Sequence, residues 1–503
     1  MSQTFKSQIV DQHGQNFRIT VRSEREYQSL VANKHPTLQA LYDVASDGGR
    51  NEEHWKMADG LSARAANSPS VRKRIRERAR YEYANNGYAK GLAWTLSNDL
   101  IGSEVRVQFK SGESDLDRLL ERRLMKWMRV TNLARKLRTG RVMRSVDGES
   151  MFLRQYSPRL KNKVKTSVRL CECDYFDDPM GREEENYTGG VHIDPLDGEP
   201  SRYTMMRTHP GDTFYADLAT DTIDADDLFH WGRFERGDQV RFVSEMCQSL
   251  SLYAQARRLS LASLTAAETA AAIAAYFETQ SMPLGEDGIP DYDNDFEALE
   301  SMPIEHGTIL GVPRGHKVSQ IKAEQPTTTY PDFKGSIIDE AGRGQVAPSN
   351  ISRGSAAGYN YSSVRADNQP YWSMQKTERF DLGNEGLDKI ASWYFRDARL
   401  VYPEFRSIDP DDLPDHVWYF DGQPHIDEQK HADSLVTLVD AELMTKNEAL
   451  LERGRDPEAH WDDIRQQRRR DAELDKIRIR TPSPRPSSDK QRQSSDDDSD
   501  SDQ

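Results

Sequence analysis

Apolar residues at helical spacing predict a helix that begins near Ser70 of this chain. Val71, Ile75, Ala79 and Tyr83 lie four residues apart, so they share one face of an α-helix. Ser70 is suited to the N-cap, because a serine hydroxyl can accept a hydrogen bond from a free backbone N–H of the first turn. The outer face of the predicted helix carries a basic run: Arg72, Lys73, Arg74, Arg76, Arg78 and Arg80.

Two further helices and one strand are predicted before the pattern changes. A second apolar series runs from Leu92 to Ile101 and stops at Gly102, and glycine is a common helix terminator. Residues 105–109 (VRVQF) alternate as a strand does. The amphipathic stretch over 115–138 predicts another helix with basic residues on its outer face.

From Val142 to about Trp231 the apolar residues recur every second position, which predicts a β-rich region. Its expected strands are SVDGESMFLRQY (145–156), KTSVRLCECDYF (165–176), GGVHID (189–194) and SRYTMMR (201–207). The turn sequence DPLDG between the last two predicts a hairpin.

The longest helical pattern runs from Gln239 to about Gln280 and ends at Pro283. Its second half is rich in alanine, the residue with the best helix propensity. No glycine or proline interrupts it, so the pattern predicts a single rod longer than most globular helices.

The last part of the chain predicts short elements joined by loops. They are an acidic loop at 284–300, a strand pair at 307–321, a helix at 330–342, a loop at 343–360, a helix at 361–395 and a helical pair at 427–479. Gly383 and Gly386 predict a kink in the helix at 361–395. From Thr481 onward the composition is typical of disorder.

Length and composition exclude several classes of protein. A chain of 503 residues suggests roughly three or four packed units. No run of about 18 apolar residues occurs and no secretory signal pattern is visible, which argues against a membrane or secreted protein. Three cysteines cannot form a disulfide framework, so a reducing compartment is the simpler expectation.

The net charge of −15 disfavours a dedicated reader of duplex DNA, because tight binding needs several basic contacts to phosphates. An acidic wall around DNA, formed by many copies of the chain, would instead keep the duplex from sticking. For the arginines of the first helix, a solvated face that pairs with acids of a neighbouring subunit is favoured over DNA contact. These candidate subunit-interface residues are Arg72, Arg74, Arg76, Arg78 and Arg80.

Candidate catalytic and metal-binding patterns are weak. Cys171 and Cys173 would point to one face of a strand, but no further ligand with metal-site spacing is near them. The acidic run 291–295 begins like a calcium loop but has Phe296 and Met302 where glycine and glutamate are required. No phosphate-binding G-x-x-x-x-G-K-[ST] or nucleophile G-x-S-x-G motif occurs. His230 is expected to be a packed or capping group, and no metal or cofactor is predicted.

Several motifs in a shared order resemble the lambda-type portal proteins of tailed bacteriophages, from about Ser70 to about Arg470. They are RARYEYANNGYAKGLAWTLSNDLIG (78–102), VDGESMFLRQY (146–156), DLFHWGRFERGDQVRFVSEM (227–246), GTILGVPRGHKVSQI (307–321), YNYSSVRA (359–366) and HIDEQKHADSLVTLVDAELMTKNEALLERGRDPEAHWDDI (425–464). The match at 359–366 is the most specific. The chain departs from the family pattern at Phe242, Glu428 and Ala441. Independent motifs in one order strengthen each other.

The resemblance implies an α+β portal fold with wing, stem, clip and crown regions, long stem and tunnel helices and a β-rich middle part. Combined with the pattern, it assigns the following regions. They are the N-terminal wing region (1–165), a β-rich region including the clip (166–236), a long stem helix (237–282), wing strands and a short helix (283–344), a tunnel loop and long kinked helix (345–400), the C-terminal crown (401–480) and a disordered acidic tail (481–503).

The resemblance also implies a dodecameric ring at one capsid vertex, without catalytic residues of its own. Double-stranded DNA would pass through it non-specifically during packaging and ejection. Implied partners are the terminase large subunit, the major capsid and scaffold proteins and the head-completion or adaptor proteins, with no membrane. The implied location is the virion, after assembly in the host cytoplasm. Residues expected to face DNA in the tunnel loop are Arg343, Gln345, Asn350, Arg353 and Asn360.

Two alternatives remain beside the portal interpretation. A metal-dependent nuclease would use the acidic stretch with Asp291, Asp293 and Asp295. A capsid-associated adaptor would bind capsid protein without forming a channel.

Overall fold

The computed structural model describes residues 9–10, 16–17, 53–182, 184–212, 218–272, 276–279, 316–319, 329–422 and 427–478. The chain divides into two compact units, Met1–Ser62 and Ala63–Gln503. In the described part of the first unit, strand β1 (Ile9–Val10) pairs antiparallel with β2 (Asn16–Phe17).

The second unit is built mainly of helices. Those described are α1 (Ala63–Ala66), α2 (Pro69–Asn85), α3 (Gly87–Ile101), α4 (Ser114–Val130), α5 (Leu133–Asp147), α6 (Leu250–Ala272), α7 (Tyr330–Gly344), α8 (Ser349–Arg353), α9 (Tyr361–Asp381), α10 (Asp388–Val401), α11 (Glu428–Asp440), α12 (Lys446–Glu452) and α13 (Pro457–Arg478). Within the described ranges, no helix has both the length and the apolar composition needed to span a lipid bilayer.

Short antiparallel sheets lie between the helices. Their strands are β3 (Arg106–Phe109), β4 (Glu149–Tyr156), β5 (Thr166–Cys171), β6 (Tyr187–Thr188), β7 (Val191–Ile193), β8 (Pro200–Met206), β9 (Thr220–Asp224), β10 (Leu228–Gly232), β11 (Tyr276–Thr279), β12 (His316–Ser319) and β13 (His416–Tyr419). The strand orders are β10–β4–β5, β6–β7–β8–β9, β13–β3 and β11–β12. In the first sheet Phe152 lies opposite Phe229, so aromatic side chains pack across neighbouring strands.

The main apolar core lies between α4, α10 and the sheet of β4 and β5. Trp127 and Trp393 are fully buried there, and each indole N–H donates to a backbone carbonyl at 2.7 Å. A second cluster fills the β-rich part around Phe176 and Tyr203. These two clusters meet at β4, because Phe152 belongs to the first and Met151 to the second.

The helix predicted over 115–138 is two helices, α4 and α5. Thr131 ends the first, and its hydroxyl donates to the carbonyl of Trp127 at 2.9 Å. Asn132 then adopts a φ of 54°, a left-handed conformation that asparagine tolerates better than most residues. The apolar periodicity continues through the break, which is why the sequence pattern did not show it.

The prediction of one long helix over Gln239–Gln280 was wrong at both ends. The helix α6 covers only Leu250–Ala272, and Tyr276–Thr279 is a strand. Asp238 has a φ of 57°, and the side chain of Gln239 accepts hydrogen bonds from the backbone of Glu235 at 2.9 Å and Arg236 at 3.2 Å. At Gln239, hydrogen bonds between the buried side chain and the preceding backbone therefore take the place of the helical hydrogen bonds that were predicted.

The β-rich region is confirmed with two corrections. Residues 145–147 belong to α5, and the strand β4 starts at Glu149 after Gly148, whose φ is 95°. The alternation expected through Cys173 stops at Cys171, because Cys173–Phe176 forms a 3-10 turn. The hairpin predicted at DPLDG joins β7 to β8 and is confirmed.

The C-terminal half follows its pattern more closely. The predicted helix at 330–342 is α7, and the kink expected at Gly383 and Gly386 is a π-helical segment, Leu382–Leu387, between α9 and α10. The loop predicted at 343–360 contains the short helix α8, and the helical pair at 427–479 is three helices. The acidic run 291–295, most of 307–321 and the tail from Thr481 lie outside the described residues.

Glu121 of α4 lies where β3 approaches the start of α13. Its Oε1 accepts a hydrogen bond from the backbone N–H of Phe109 at 2.9 Å. Burial raises the pKa of Glu121 from 4.5 to about 7, and the charge of Asp456 adds to this, while the Phe109 hydrogen bond opposes it. The folded chain therefore favours the neutral acid.

Replacing this acid, Glu121→Gln, is expected to raise the melting temperature by a few degrees near pH 8. The stability contributed by Glu121 is present below about pH 4.5 and is lost as the pH rises through about 7. Glutamine stays neutral and keeps the acceptor oxygen, so the variant avoids this loss. Thermal unfolding at pH 4.5 and pH 8, followed by circular dichroism, measures the difference. A larger effect at pH 4.5 than at pH 8 would contradict the assignment.

Candidate functional site

The arginines of α2 do not form one outer face. Arg72 and Arg76 are 3% and 2% exposed, whereas Val71, assigned to the core from its spacing, is 41% exposed. The helix is therefore turned by about one residue from the predicted orientation, which places Arg72 and Arg76 inward. Arg74 and Arg78 are exposed, and Arg80 is half-buried. The prediction of a common outer face was thus wrong for Arg72 and Arg76, which have almost no surface to offer another subunit.

Glu149, the first residue of β4, is the centre of a buried ion-pair network. Both of its carboxylate oxygens accept from Nε of Arg241 at 3.0 Å, and Nε2 of His230 lies 2.9 Å away. Glu149 itself is fully buried. Burial alone would raise the pKa of Glu149, but the charge of Arg241 and the hydrogen bonds from His230 and Arg241 hold it well below its usual range. Glu149 is thus a buried carboxylate anion.

Asp177 extends the network to α2. Its carboxylate lies 2.9 Å from Arg72, 2.8 Å from Arg76 and 3.2 Å from Arg241. Burial opposes ionisation, but the charges of Arg241, Arg76 and Arg72 together lower the pKa of Asp177. One carboxylate therefore ties α2 to the segment that precedes α6.

Arg80 occupies the edge of the network. Its Nε lies 2.7 Å from Asp147, and its Nη2 lies 2.6 Å from Asp174 and 3.4 Å from Glu172. Glu172, Asp174 and His209 place ligand atoms within 4.8 Å of one another, an arrangement that resembles a metal site. The guanidinium of Arg80 contacts both of these carboxylates, so they are engaged in ion pairs within the described part of the chain.

A second buried network joins α5, the segment before α6, and α9. Glu245 lies 2.9 Å from Arg141 and 2.7 Å from Arg144, and Arg144 also contacts Glu378 at 2.9 Å. Burial would raise the pKa of Glu245, but the charges of Arg141 and Arg144 outweigh it and lower that pKa to about 2. This network fixes the position of α9 against α5.

The role of these two networks is structural: their ion pairs and hydrogen bonds hold separate elements of the fold together. Their carboxylates are engaged by guanidinium groups, and Arg76 donates to Sγ of Cys173 at 2.7 Å. Burial raises the pKa of the Cys173 thiol well above its usual value, so it stays protonated at neutral pH. His230 is a packed partner of Glu149, as the sequence predicted, and burial lowers its pKa. No local pattern indicated this role for Glu149, Asp177 or Arg241, because their partners are distant along the chain.

The candidate DNA-facing residues lie in and around the connection between α7 and α9, and their surroundings differ. Gln345 is 1% exposed and donates to the Tyr253 hydroxyl at 3.1 Å. Arg353 binds Asp339 through Nε at 2.7 Å. Oδ1 of Asn350 is buried without a hydrogen-bond partner in the described part of the chain. Only Arg343 and Asn360 of the five are exposed.

This connection is held close to α7. The Cα of Gly342 faces Ser352 of α8 so closely that a β-carbon at Gly342 would overlap the serine hydroxyl. Gly354 and Gly358, with φ of 64° and 85°, turn the chain away from α8 toward α9. Asn360 then caps α9, because its Oδ1 accepts from the backbone N–H of Ser363 at 2.8 Å. The exposed part is therefore a short turn anchored at both ends.

Comparison with known proteins gives similarities along most of the chain. The family model described as "Phage portal protein, lambda family" matches residues 48–379. The "Probable portal protein" of Halomonas phage phiHAP-1 is 23% identical over 465 residues, which is 87% of this chain and 88% of that protein.

Two solved structures are also similar to the chain, each at 13% sequence identity. "Neck of native GTA particle computed with C12 symmetry" has a TM-score of 0.44 and covers 78% of this chain and 95% of that one. "Virion of native gene transfer agent (GTA) particle" has a TM-score of 0.41 and covers 76% of this chain and 93% of that one.

Proposed function

Because the chain belongs to the lambda family of phage portal proteins, we propose that it forms a ring at one capsid vertex through which double-stranded DNA is packaged and ejected. The observation that carries this proposal is the family match over residues 48–379. The ring is proposed to be dodecameric and to provide the docking site for the terminase large subunit. The major capsid and scaffold proteins and the head-completion or adaptor proteins are its other proposed partners.

The net negative charge of the chain supports its proposed role as a channel for DNA. Each copy carries a net charge of −15, so a ring of copies would repel phosphate and let a duplex slide. Arg343 and Asn360 are the candidates with surface available to meet DNA in the turn between α7 and α9. Gln345, Arg353 and Asn350 act in this proposal by holding the turn in place.

The regional assignments are part of the proposal. The wing comprises 1–165 and 283–344, the clip lies in 166–236, and the crown comprises 401–480. The stem is proposed to be α6, Leu250–Ala272, in place of the longer helix expected from the sequence. For subunit contacts we retain Arg74 and Arg78, because they are exposed, whereas Arg72, Arg76 and Arg80 bind acids of their own chain.

In this proposal the chain has a structural role in DNA passage, since its buried charges form ion pairs that hold the elements of the fold together. ATP hydrolysis would belong to the docked terminase.

Negative-stain microscopy of the purified chain is expected to show annular particles with a central hole. Light scattering on the same sample should give a mass many times that of one 57.5-kDa chain. A protein that stays monomeric in every buffer would overturn the proposal. Binding to capsid protein without annular particles would identify an adaptor. Magnesium-dependent DNA cleavage, lost when Asp291, Asp293 and Asp295 become alanine, would identify a nuclease.

A further inference from the structure

A basic cavity lies where the loop between β4 and β5 meets α4 and the residue that follows α10. Its volume is about 520 Å³, within the range of small ligand sites. We call this the basic cavity, and its cationic lining residues are Arg123, Lys126, Lys161, Lys163 and Lys165. A concave surface with five cations is unusual on a chain whose net charge is −15.

The cations of the basic cavity are poorly neutralised by the described part of the chain. Their one ion pair there joins Arg123 to Glu404 at 3.9 Å, the outer limit for such a contact. Nε of Arg123 is buried without a hydrogen-bond partner among the described residues. The Tyr402 ring holds two of the cations close together, with the Arg123 guanidinium 4.5 Å and the Lys163 ammonium 5.7 Å from its centroid. Like charges held together favour binding of an anion.

We propose that the aspartate-rich segment 496–502 of this same chain binds the basic cavity, in its own subunit or in a neighbouring one. Five aspartates occur in that segment, which equals the number of cations in the cavity: Asp496, Asp497, Asp498, Asp500 and Asp502. The match of charge and number gives electrostatic complementarity between two parts of one polypeptide. This inference does not depend on the channel function.

The segment can reach the basic cavity within one subunit. The helix α13 starts beside α4, where Glu458 lies 2.8 Å from Arg118, and its 22 residues extend about 33 Å. Lys126 is eight residues, or about 12 Å, farther along α4. Between Arg478 and Asp496 lie 17 residues, a stretch that can span about 60 Å when extended. The tether is therefore long enough to return from the end of α13 to the cavity.

Tethering favours this segment over duplex DNA as the occupant. A linked segment has an effective concentration of the order of millimolar at its site, whatever the protein concentration. DNA must approach from solution against the repulsion of the whole chain. The cavity is also too small to enclose a duplex, whereas a few aspartate side chains fit its volume.

The test uses the full chain with the five aspartates changed to asparagine, so that its own tail no longer competes. A fluorescent peptide of residues 491–503 is titrated at low salt and followed by anisotropy. The triple variant Lys126→Gln, Lys161→Gln, Lys163→Gln is expected to bind the peptide at least tenfold more weakly. The matched control, Arg468→Gln, Arg469→Gln, Arg470→Gln, removes the same charge from exposed positions of α13 and should bind as before.

Carbodiimide cross-linking of the unmodified chain is expected to join Lys126, Lys161 or Lys163 to residues 496–502. The mass of the cross-linked product separates binding within one chain from binding between chains. Equal peptide affinity in the two triple variants would overturn the proposal. So would a duplex oligonucleotide that binds at least tenfold more tightly than the peptide and is lost in the cavity variant. That second result would make the cavity a nucleic-acid site.

Discussion

Replacing Glu149 by alanine is expected to lower the free energy of unfolding by about 3–5 kcal/mol, the range for breaking a buried ion pair. Glu149 is fully buried and is the main acceptor for Arg241, which is 2% exposed. Without the carboxylate, the Arg241 guanidinium stays in the interior with much of its charge uncompensated. Urea unfolding followed by tryptophan fluorescence measures the loss.

The exposed pair of Arg207 and Asp221 provides the control. It has a short contact of 2.7 Å, but both side chains are more than half exposed. Asp221→Ala should leave stability nearly unchanged, because water and salt screen the pair. The isosteric change Glu149→Gln should still be strongly destabilising, since it keeps the volume and removes the charge. If Glu149→Ala and Asp221→Ala had equal effects, the buried network would not stabilise the fold as described.

Gly190→Ala is expected to destabilise the chain by about 3–5 kcal/mol, in the upper range for a single substitution. Gly190 lies between β6 and β7 with a φ of 83°, where a side chain is strained. A β-carbon there would also overlap the carbonyl oxygen of Phe176. That carbonyl accepts a hydrogen bond from Arg241 at 2.9 Å, so moving it disturbs the network around Glu149.

The variant Gly198→Ala is a control that distinguishes backbone strain from overlap with the Phe176 carbonyl. Gly198 has a similar φ of 80°, in the hairpin turn between β7 and β8, but no atom lies near the position of an added β-carbon. Gly198→Ala should therefore cost only the left-handed strain, about 1–2 kcal/mol. Urea unfolding of both variants gives the comparison. A Gly190→Ala variant no less stable than Gly198→Ala would show that Phe176 moves aside freely.

The elements that the sequence predicted correctly depend on local chemistry. Leu92 to Ile101 with Gly102 defined α3, and the DPLDG turn defined the hairpin of β7 and β8. The two glycines at 383 and 386 marked the π-helical segment. In each case the deciding residues are neighbours along the chain, so spacing and turn propensity suffice.

The predictions that failed for α2 and for the start of α6 involve partners far apart in sequence. Arg72 binds Asp177, 105 residues away, and Arg241 binds Glu149, 92 residues away. A helical pattern treats arginine as a surface residue, because an unpaired charge is almost never buried. The predicted helix also began too early, before α6. In the sequence alone Glu245 fits a helical pattern, whereas in the structure it is buried in ion pairs with Arg141 and Arg144.

The family could be identified from motifs in the sequence, because their order does not depend on any structure, and periodicity was enough to predict most helices and the β-rich region. Which charges are buried and which face solvent became known from the packed fold alone. A charge can be buried at a tolerable cost only where an opposite charge and its hydrogen bonds lie at the same place. The packing of α2, α5, β4 and the segment before α6 brings these opposite charges together. A local sequence pattern contains no information about this packing.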